Sequence, residues 1–216
     1  MQILTFEDGP FAQNTYLVLC SDGISAVLID AGAGTGKALD RVEAEGRTLE
    51  AILLTHAHLD HIDGLAEAKR RASAPTYLHP ADRVVFDHGK ANATMYGLPF
   101  ETPPPPDHPI AEGETFSFGG DEFDVRFAPG HAPGHVIFVA RGEPVAFVGD
   151  VVFAGSIGRT DLPGGDLKTL MESIRGQVLT LPDGTRLLPG HGPETTVEWE
   201  RRHNPFLVPQ YGGEFA

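Results

Sequence analysis

Three imidazoles and a carboxylate crowd into six positions of this chain, in Thr55-His56-Ala57-His58-Leu59-Asp60-His61-Ile62-Asp63-Gly64, directly after the apolar run Ala51-Ile52-Leu53-Leu54. Such a cluster is hard to bury as packing. A carboxylate without a partner is costly away from water, and histidines at the end of a buried strand need something to hold them. A metal ion supplies that, because imidazole and carboxylate are ordinary ligands of first-row metals. In an extended segment residues two apart face the same way, so His56 and His58 can grip one ion together. Asp60 and His61 are adjacent and cannot both continue that side. If the chain turns there, they can serve a second ion close by.

The same pattern recurs downstream. Phe127-Ala128-Pro129-Gly130-His131 and Leu187-Leu188-Pro189-Gly190-His191 each end an apolar strand with Pro-Gly-His, and Phe147-Val148-Gly149-Asp150 ends another with Gly-Asp. With Leu54-Thr55-His56, four strands therefore deliver a metal-capable side chain at their carboxyl ends, the edge where α/β sheets usually carry their sites. A glycine before the donor permits a sharp turn and close backbone approach. Five histidines and two aspartates converge, enough for two ions at about four protein-derived bonds each if one aspartate is shared. Asp30, at the end of another strand, points toward the same region.

The elements around these residues alternate. Strands are expected at Ile3 to Phe6, Asn14 to Leu19 and Ser25 to Ile29, then a helix from Lys37 to Glu45 and a buried strand from Leu49 to Leu54. A helix at Leu65 to Ala72, a strand at Pro75 to Leu78 and a short helix at Ala81 to Phe86 follow. The segment from Asp87 to Pro109 reads as irregular, with Thr102 to Asp107 held extended by four prolines; it is a candidate border of the pocket. Glu114 to Phe118 and Glu122 to Phe127 form a hairpin, Val136 to Ala140 and Val145 to Val148 another pair. Leu170, Ile174 and Val178 mark one face of a helix over Leu167 to Leu179, Arg186 to Leu188 is a last strand, and Glu194 to Arg202 a last helix. This alternation predicts an α/β layered fold, and no linker divides residues 1–216.

Composition narrows the function. A hydrophobic content of 41% allows a real core, and no apolar run reaches the roughly 18 residues of a membrane span. The formal net charge of −14 argues against a nucleic-acid partner, whose phosphates need basic surface. The N-terminus has no signal-peptide pattern, and the single cysteine, Cys20, lies in an apolar run where an inert buried thiol is expected; both fit a cytoplasmic protein. The oligomeric state has no sequence signature here.

The order H-x-H-x-D-H, P-G-H, G-D, P-G-H resembles the metallo-β-lactamase superfamily. That resemblance implies a four-layered αβ/βα sandwich with a dinuclear site at one edge. It assigns His56, His58 and His131 to a first metal and Asp60, His61 and His191 to a second, with Asp150 bridging. Zinc is the expected ion, with iron and manganese as alternatives. Ala128-Pro129-Gly130-His131-Ala132-Pro133-Gly134-His135 resembles a segment of glyoxalase II-like hydrolases in which the histidine at position 135 is not a ligand but stands behind the ligands, as Asp30 is expected to do. Gly158-Arg159-Thr160-Asp161 is similar to the single-domain branch of those enzymes and to persulfide dioxygenases. By that likeness Arg159 either binds a substrate carboxylate or braces its own loop through Asp161. About 25 residues follow His191, too few for the helical glutathione-binding domain of the larger enzymes.

The activity this implies is hydrolysis of a small-molecule thioester such as S-lactoylglutathione, with Asp60 and Asp150 as the catalytic carboxylates. A mononuclear iron persulfide dioxygenase using His56, His131 and Asp150, and a lactonase or other ester hydrolase, are the rival readings. His79, His88, His108 and His203 match no ligand motif and are expected as surface or satisfied polar groups; Trp199 and the phenylalanines are expected in the core.

Overall fold

A computed structural model describes residues 1–208. The chain order is β1 (Gln2–Asp8), β2 (Gln13–Leu19), β3 (Ser25–Ile29), α1 (Thr35–Ala44), β4 (Thr48–Leu53), α2 (Leu59–Ile62), α3 (Leu65–Arg71), β5 (Thr76–Leu78), α4 (Arg83–Asp87), α5 (Gly89–Tyr96) and β6 (His108–Pro109). The second half contains β7 (Thr115–Phe118), β8 (Asp121–Phe127), β9 (Val136–Ala140), β10 (Val145–Gly149), β11 (Val152–Phe153), β12 (Ser156–Ile157), α6 (Leu167–Ser173), a π-helical turn (Ile174–Val178), β13 (Arg186–Pro189), β14 (Thr195–Thr196) and α7 (Val197–His203).

These elements make two six-stranded sheets, in the orders β1-β2-β3-β4-β5-β6 and β14-β13-β10-β9-β8-β7, plus the small β11–β12 ribbon. In the first sheet β3, β4, β5 and β6 run parallel; in the second only β10 and β13 do. Side-chain alternation along the strands sorts the interior into three cores. Leu17, Leu28 and Ile52 face Leu39 and Val42 of α1 and Leu65 of α3. Their neighbours Val18, Val27, Ala51 and Leu53 turn the other way, onto Phe123, Phe138 and Phe147 of the second sheet. Ile137, Ala146 and Leu187 on that sheet's far face meet Leu170 of α6, Ile174 and Val178 of the π-helical turn, and Val197 of α7. Three cores between four layers are the expected αβ/βα sandwich.

Three expectations need correction. Within 87–109 a real helix, α5, forms. It escaped the reading because it buries only Gly89 and Ala93, so no core-facing stripe marks it. Trp199 is 44% exposed, and Phe11 and Phe206 are also exposed. Trp199 lies off the buried Val197 and Glu200 face of α7, with its indole against His203, the ring centroids 5.2 Å apart. Residues 102–106 do not border the pocket; the residues of 87–109 that do are on α5 and at its start. Cys20 is buried, and burial pushes its thiol up to about 12, the inert state expected of it. Among the described residues no helix is long and apolar enough to cross a membrane.

Candidate metal centre

The strand β4 ends at Leu53, and the chain beyond it is tied to the end of β3: the Thr55 N–H donates to Asp30 Oδ1 at 2.7 Å. His56 follows, fully buried, and His58 caps the single turn of α2. That turn brings in Asp60 and His61, and the His61 ring packs against His56 with centroids 4.0 Å apart. His131 arrives after β8 through Gly130, at φ +128°, where any Cβ would collide with the Leu170 backbone. Asp150 follows β10 directly. His191 follows β13 through Gly190, where a side chain would strike Asp150 Oδ1 and the His61 ring.

All seven side chains meet at this edge. Their donor atoms fall into overlapping groups, His56, His58 and His131, then His56, His61 and Asp150, then Asp60, His61 and His191, with the atoms of each group within 4.8 Å of one another. Asp150 lies between the outer two groups. Its Oδ2 is 3.5 Å from His131 Nε2 and 3.4 Å from His191 Nε2, and its Oδ1 is 3.3 Å from His61 Nε2. Asp60 Oδ2 is 3.0 Å from His191 Nε2 and 3.8 Å from His61 Nε2.

Outer partners orient three of the rings. His61 Nδ1 lies 2.8 Å from Asp30 Oδ2, His131 Nδ1 2.8 Å from the Arg159 carbonyl, and His191 Nδ1 3.0 Å from the Phe11 carbonyl. Each acceptor draws the ring's proton to Nδ1, so that Nε2 turns a lone pair toward the cluster, the usual preparation of a metal-binding imidazole. Asp30 pays for this with a left-handed backbone, φ +59°, and its Oδ2 also accepts from the Thr55 hydroxyl at 2.9 Å. His135 is wholly buried; its Nε2 accepts the Asp150 N–H at 3.0 Å and its ring stacks on His56 with centroids 4.7 Å apart. Asp30 and His135 thus hydrogen-bond to members of the cluster, His61 and Asp150.

The electrostatics suit a cation. Burial, and then the neighbouring imidazoles, hold His56 well below its ordinary value and His58 down at about 3. These rings are neutral donors at pH 7. Burial would lower His191 too, but the Asp150 and Asp60 carboxylates outweigh it and keep that ring up at about 10. His61 is raised well above its usual value in the same way, by Asp30, Asp150 and Asp60 against its burial. The carboxylates demand positive charge, and a divalent ion meets that demand as two imidazolium protons do. Most telling, His56 Nε2, His61 Nε2 and Asp150 Oδ1 are buried without a hydrogen-bond partner. Unmatched buried polar atoms cost about 1–3 kcal/mol each, and three gathered at one point are what a metal site presents. The donor set fits divalent metal.

A cavity of about 950 Å³ opens over the cluster, and His58, Asp60, His131, Asp150 and His191 form its floor. Arg159 is on its wall, with Nε and Nη2 donating to Asp161 Oδ1 and Oδ2 at 2.7 Å each, so the brace within the loop forms. Of the four histidines expected outside the site, His79, His88 and His203 hydrogen-bond within their own helices or turns, and His108 packs on Tyr77; His88 also reaches the cavity wall.

Sequence reasoning missed Asp82. Fully buried, it accepts the Ala57 N–H and the Gly134 N–H at 2.6 Å each, tying the His56–His58 segment to the segment before His135. Burial pushes its carboxyl up to about 6 against the pull of those two donors. An aspartate at a helix start reads as a cap, so the sequence held no signal for this role. Asp82→Ala should leave two backbone donors unpaired and loosen both segments. A loss of about 2–5 kcal/mol in stability is expected, with metal affinity lower by roughly 10–100-fold. Thermal unfolding and chelator competition measure the two; wild-type affinity in the variant would remove Asp82 from the centre's support.

Comparison with known proteins agrees with this geometry. The metallo-beta-lactamase superfamily model matches residues 8–191. The chain is 38% identical to hydroxyacylglutathione hydrolase GloC of Haemophilus influenzae, over 91% of this chain and 93% of that one. Among solved structures it resembles TTHA1623 in a di-iron-bound form, with a TM-score of 0.86 and 42% identity over 94% of this chain and 100% of that one. It also resembles the BLEG-1 B3 metallo-beta-lactamase, with a TM-score of 0.89 and 38% identity over 96% and 100% of the two chains. The motif order, the sandwich and the donor cluster at its edge therefore belong together: this chain is a metallo-hydrolase of the metallo-β-lactamase superfamily.

Proposed function

We propose that this protein hydrolyses thioesters, with S-lactoylglutathione as the reference substrate, at a centre of two zinc ions. His56, His58 and His131 hold one ion, Asp60, His61 and His191 the other, and Asp150 is shared. The observation that carries this reading is the position of Asp150, within 3.5 Å of imidazole nitrogens from both sets. Bound divalent ions supply Lewis acidity, bringing the pKa of water toward about 7 and polarising the substrate carbonyl.

The chain's own groups do the rest. Asp60, partly open to the cavity, accepts a hydrogen bond from the attacking water and aims its oxygen at the acyl carbon. Water then adds across the C–S bond, oxygen to the acyl carbon and proton to the departing thiolate. Asp30 and the Phe11 and Arg159 carbonyls keep three imidazoles in register, so that little reorganisation accompanies the reaction.

A mononuclear iron persulfide dioxygenase would use His56, His131 and Asp150 alone. The complete second set, Asp60, His61 and His191, favours the hydrolase, since one iron has no need of it. Metal analysis of the purified protein followed by parallel assays separates the two. Two metals per chain with hydrolysis of S-lactoylglutathione is the expected result. One iron per chain with oxygen uptake on glutathione persulfide overturns it, and an ester, lactone or β-lactam turned over in preference moves the activity within the same hydrolytic chemistry.

A further inference from the structure

The cavity has a feature that thioester hydrolysis alone does not require. Eight large apolar side chains are exposed among the described residues, and four of them, Phe11, Val84, Met95 and Tyr96, line this one cavity. Isolated exposed apolar residues are normal; half of them collected around one opening are not. Val84 and Val85 of α4 and Met95 and Tyr96 of α5 line the cavity, Val85 from the edge of the first core and the other three from exposed positions. Met95, at 83% exposed, is the most open of them. Across the opening, Phe11 meets Tyr96 edge to face at 5.5 Å, while its own carbonyl holds His191.

Fixed charge is scarce on these walls. Among the described residues, Arg159 is the one Lys or Arg side chain that lines the cavity, and its guanidinium is forked on Asp161. A glutathionyl group brings two carboxylates and an ammonium, and would find one guanidinium, already forked on Asp161. An uncharged hydrocarbon finds a complete wall.

We infer that the α4–α5 face is an acyl-chain cleft, and that the preferred substrates are thioesters of apolar acyl groups on an uncharged thiol arm, with the carbonyl at the metal centre and the chain against Val84, Met95 and Tyr96. The inference rests on the thioesterase reading and narrows it. Burial of hydrocarbon sets the scale: each methylene fully removed from water raises affinity by about fourfold, and an open cleft captures part of that.

The test uses the zinc-loaded full chain and two matched series on N-acetylcysteamine. One is the hydrolysable acyl thioesters from acetyl to octanoyl. The other is the S-(2-oxoalkyl) thioethers, which keep the carbonyl and cannot be hydrolysed. Titration calorimetry should show the 2-oxononyl thioether binding at least about tenfold more tightly than the 2-oxopropyl, and kcat/KM should rise with chain length to exceed that for S-lactoylglutathione. Met95→Asp and Val84→Asp, both at exposed positions that folding tolerates, should bring the thioether ratio close to one. A ratio near one in the wild type, or one unchanged in both variants, overturns the cleft. Chain-length-dependent thioether binding without hydrolysis of any thioester supports the cleft and removes the thioesterase reading, so the two failures are distinguishable.

Discussion

Asp150→Ala is expected to emerge from purification with less than half the wild-type metal content and with turnover reduced by more than the roughly 100-fold typical of losing a residue behind the ligands. The reason is positional. Asp150 has one oxygen 3.3 Å from His61 and the other 3.5 Å and 3.4 Å from His131 and His191. Without it, the two donor sets lose their common anion, and Asp60 becomes the only carboxylate on the cavity floor. The remaining imidazoles then face one another with less opposing charge, which weakens cation binding in both sets rather than in one. Asp150→Asn separates charge from shape: it preserves the side-chain volume and one oxygen but removes the anion, and should fall between alanine and wild type in metal content. Elemental analysis and kcat on the same preparation, with circular dichroism to confirm folding, give the result. Two ions per chain retained in Asp150→Ala would end the sharing assignment, whatever the rate.

Much of this site could be read in the sequence because its chemistry is local. His56, His58, Asp60 and His61 lie within six positions, and the turn after His58 follows from the impossibility of adjacent side chains facing one way. The remote members were legible for another reason. A donor placed after a strand and a glycine has few functions besides convergence, and the collisions a side chain would cause at Gly130 and Gly190 explain why glycine precedes His131 and His191. The α/β layering was implied by the alternation of strands and helices, whereas the division into three cores, with Leu17 and Val18 on opposite faces of β2, is visible only in the sheets.

What could not be read depends on contacts distant in the chain. Asp82 acts through two backbone N–H groups, 25 and 52 residues away, and backbone donors leave no trace in composition. The carbonyls of Phe11 and Arg159, which orient His191 and His131, are equally silent. Glu200 is a third case. Buried on α7, it accepts from the Gly155 N–H, the Thr195 hydroxyl and Asn204 Nδ2, pinning the β11–β12 ribbon beside the cavity, yet in sequence it is one charge in a charged helix. The α5 helix was overlooked because its apolar side chains serve a cavity. A periodicity search rewards stripes long enough to cover a core, and a two-turn helix facing an opening falls below it.

Stripping the metal is expected to lower Tm by roughly 8–16 °C. The arithmetic is linkage: free metal at a thousandfold excess over its Kd adds about 4 kcal/mol to the folded state, and a chain of this length responds by roughly 2–4 °C per kcal/mol. Geometry explains why that energy is global rather than local. The seven side chains hang from segments after β4 in the first sheet and after β8, β10 and β13 in the second, so an ion held by His56 and His131 would tie the sheets together at that edge. Remove it, and His56 Nε2, His61 Nε2 and Asp150 Oδ1 stay buried beside groups that do not hydrogen-bond them. Scanning calorimetry with and without a chelator measures the shift, and elemental analysis confirms removal. The same treatment of Asp150→Ala should produce a much smaller shift, because that variant enters the experiment with less metal to lose; the two perturbations act on one interaction and cannot add. Equal shifts in variant and wild type would mean that the stabilising ion lies elsewhere in the molecule.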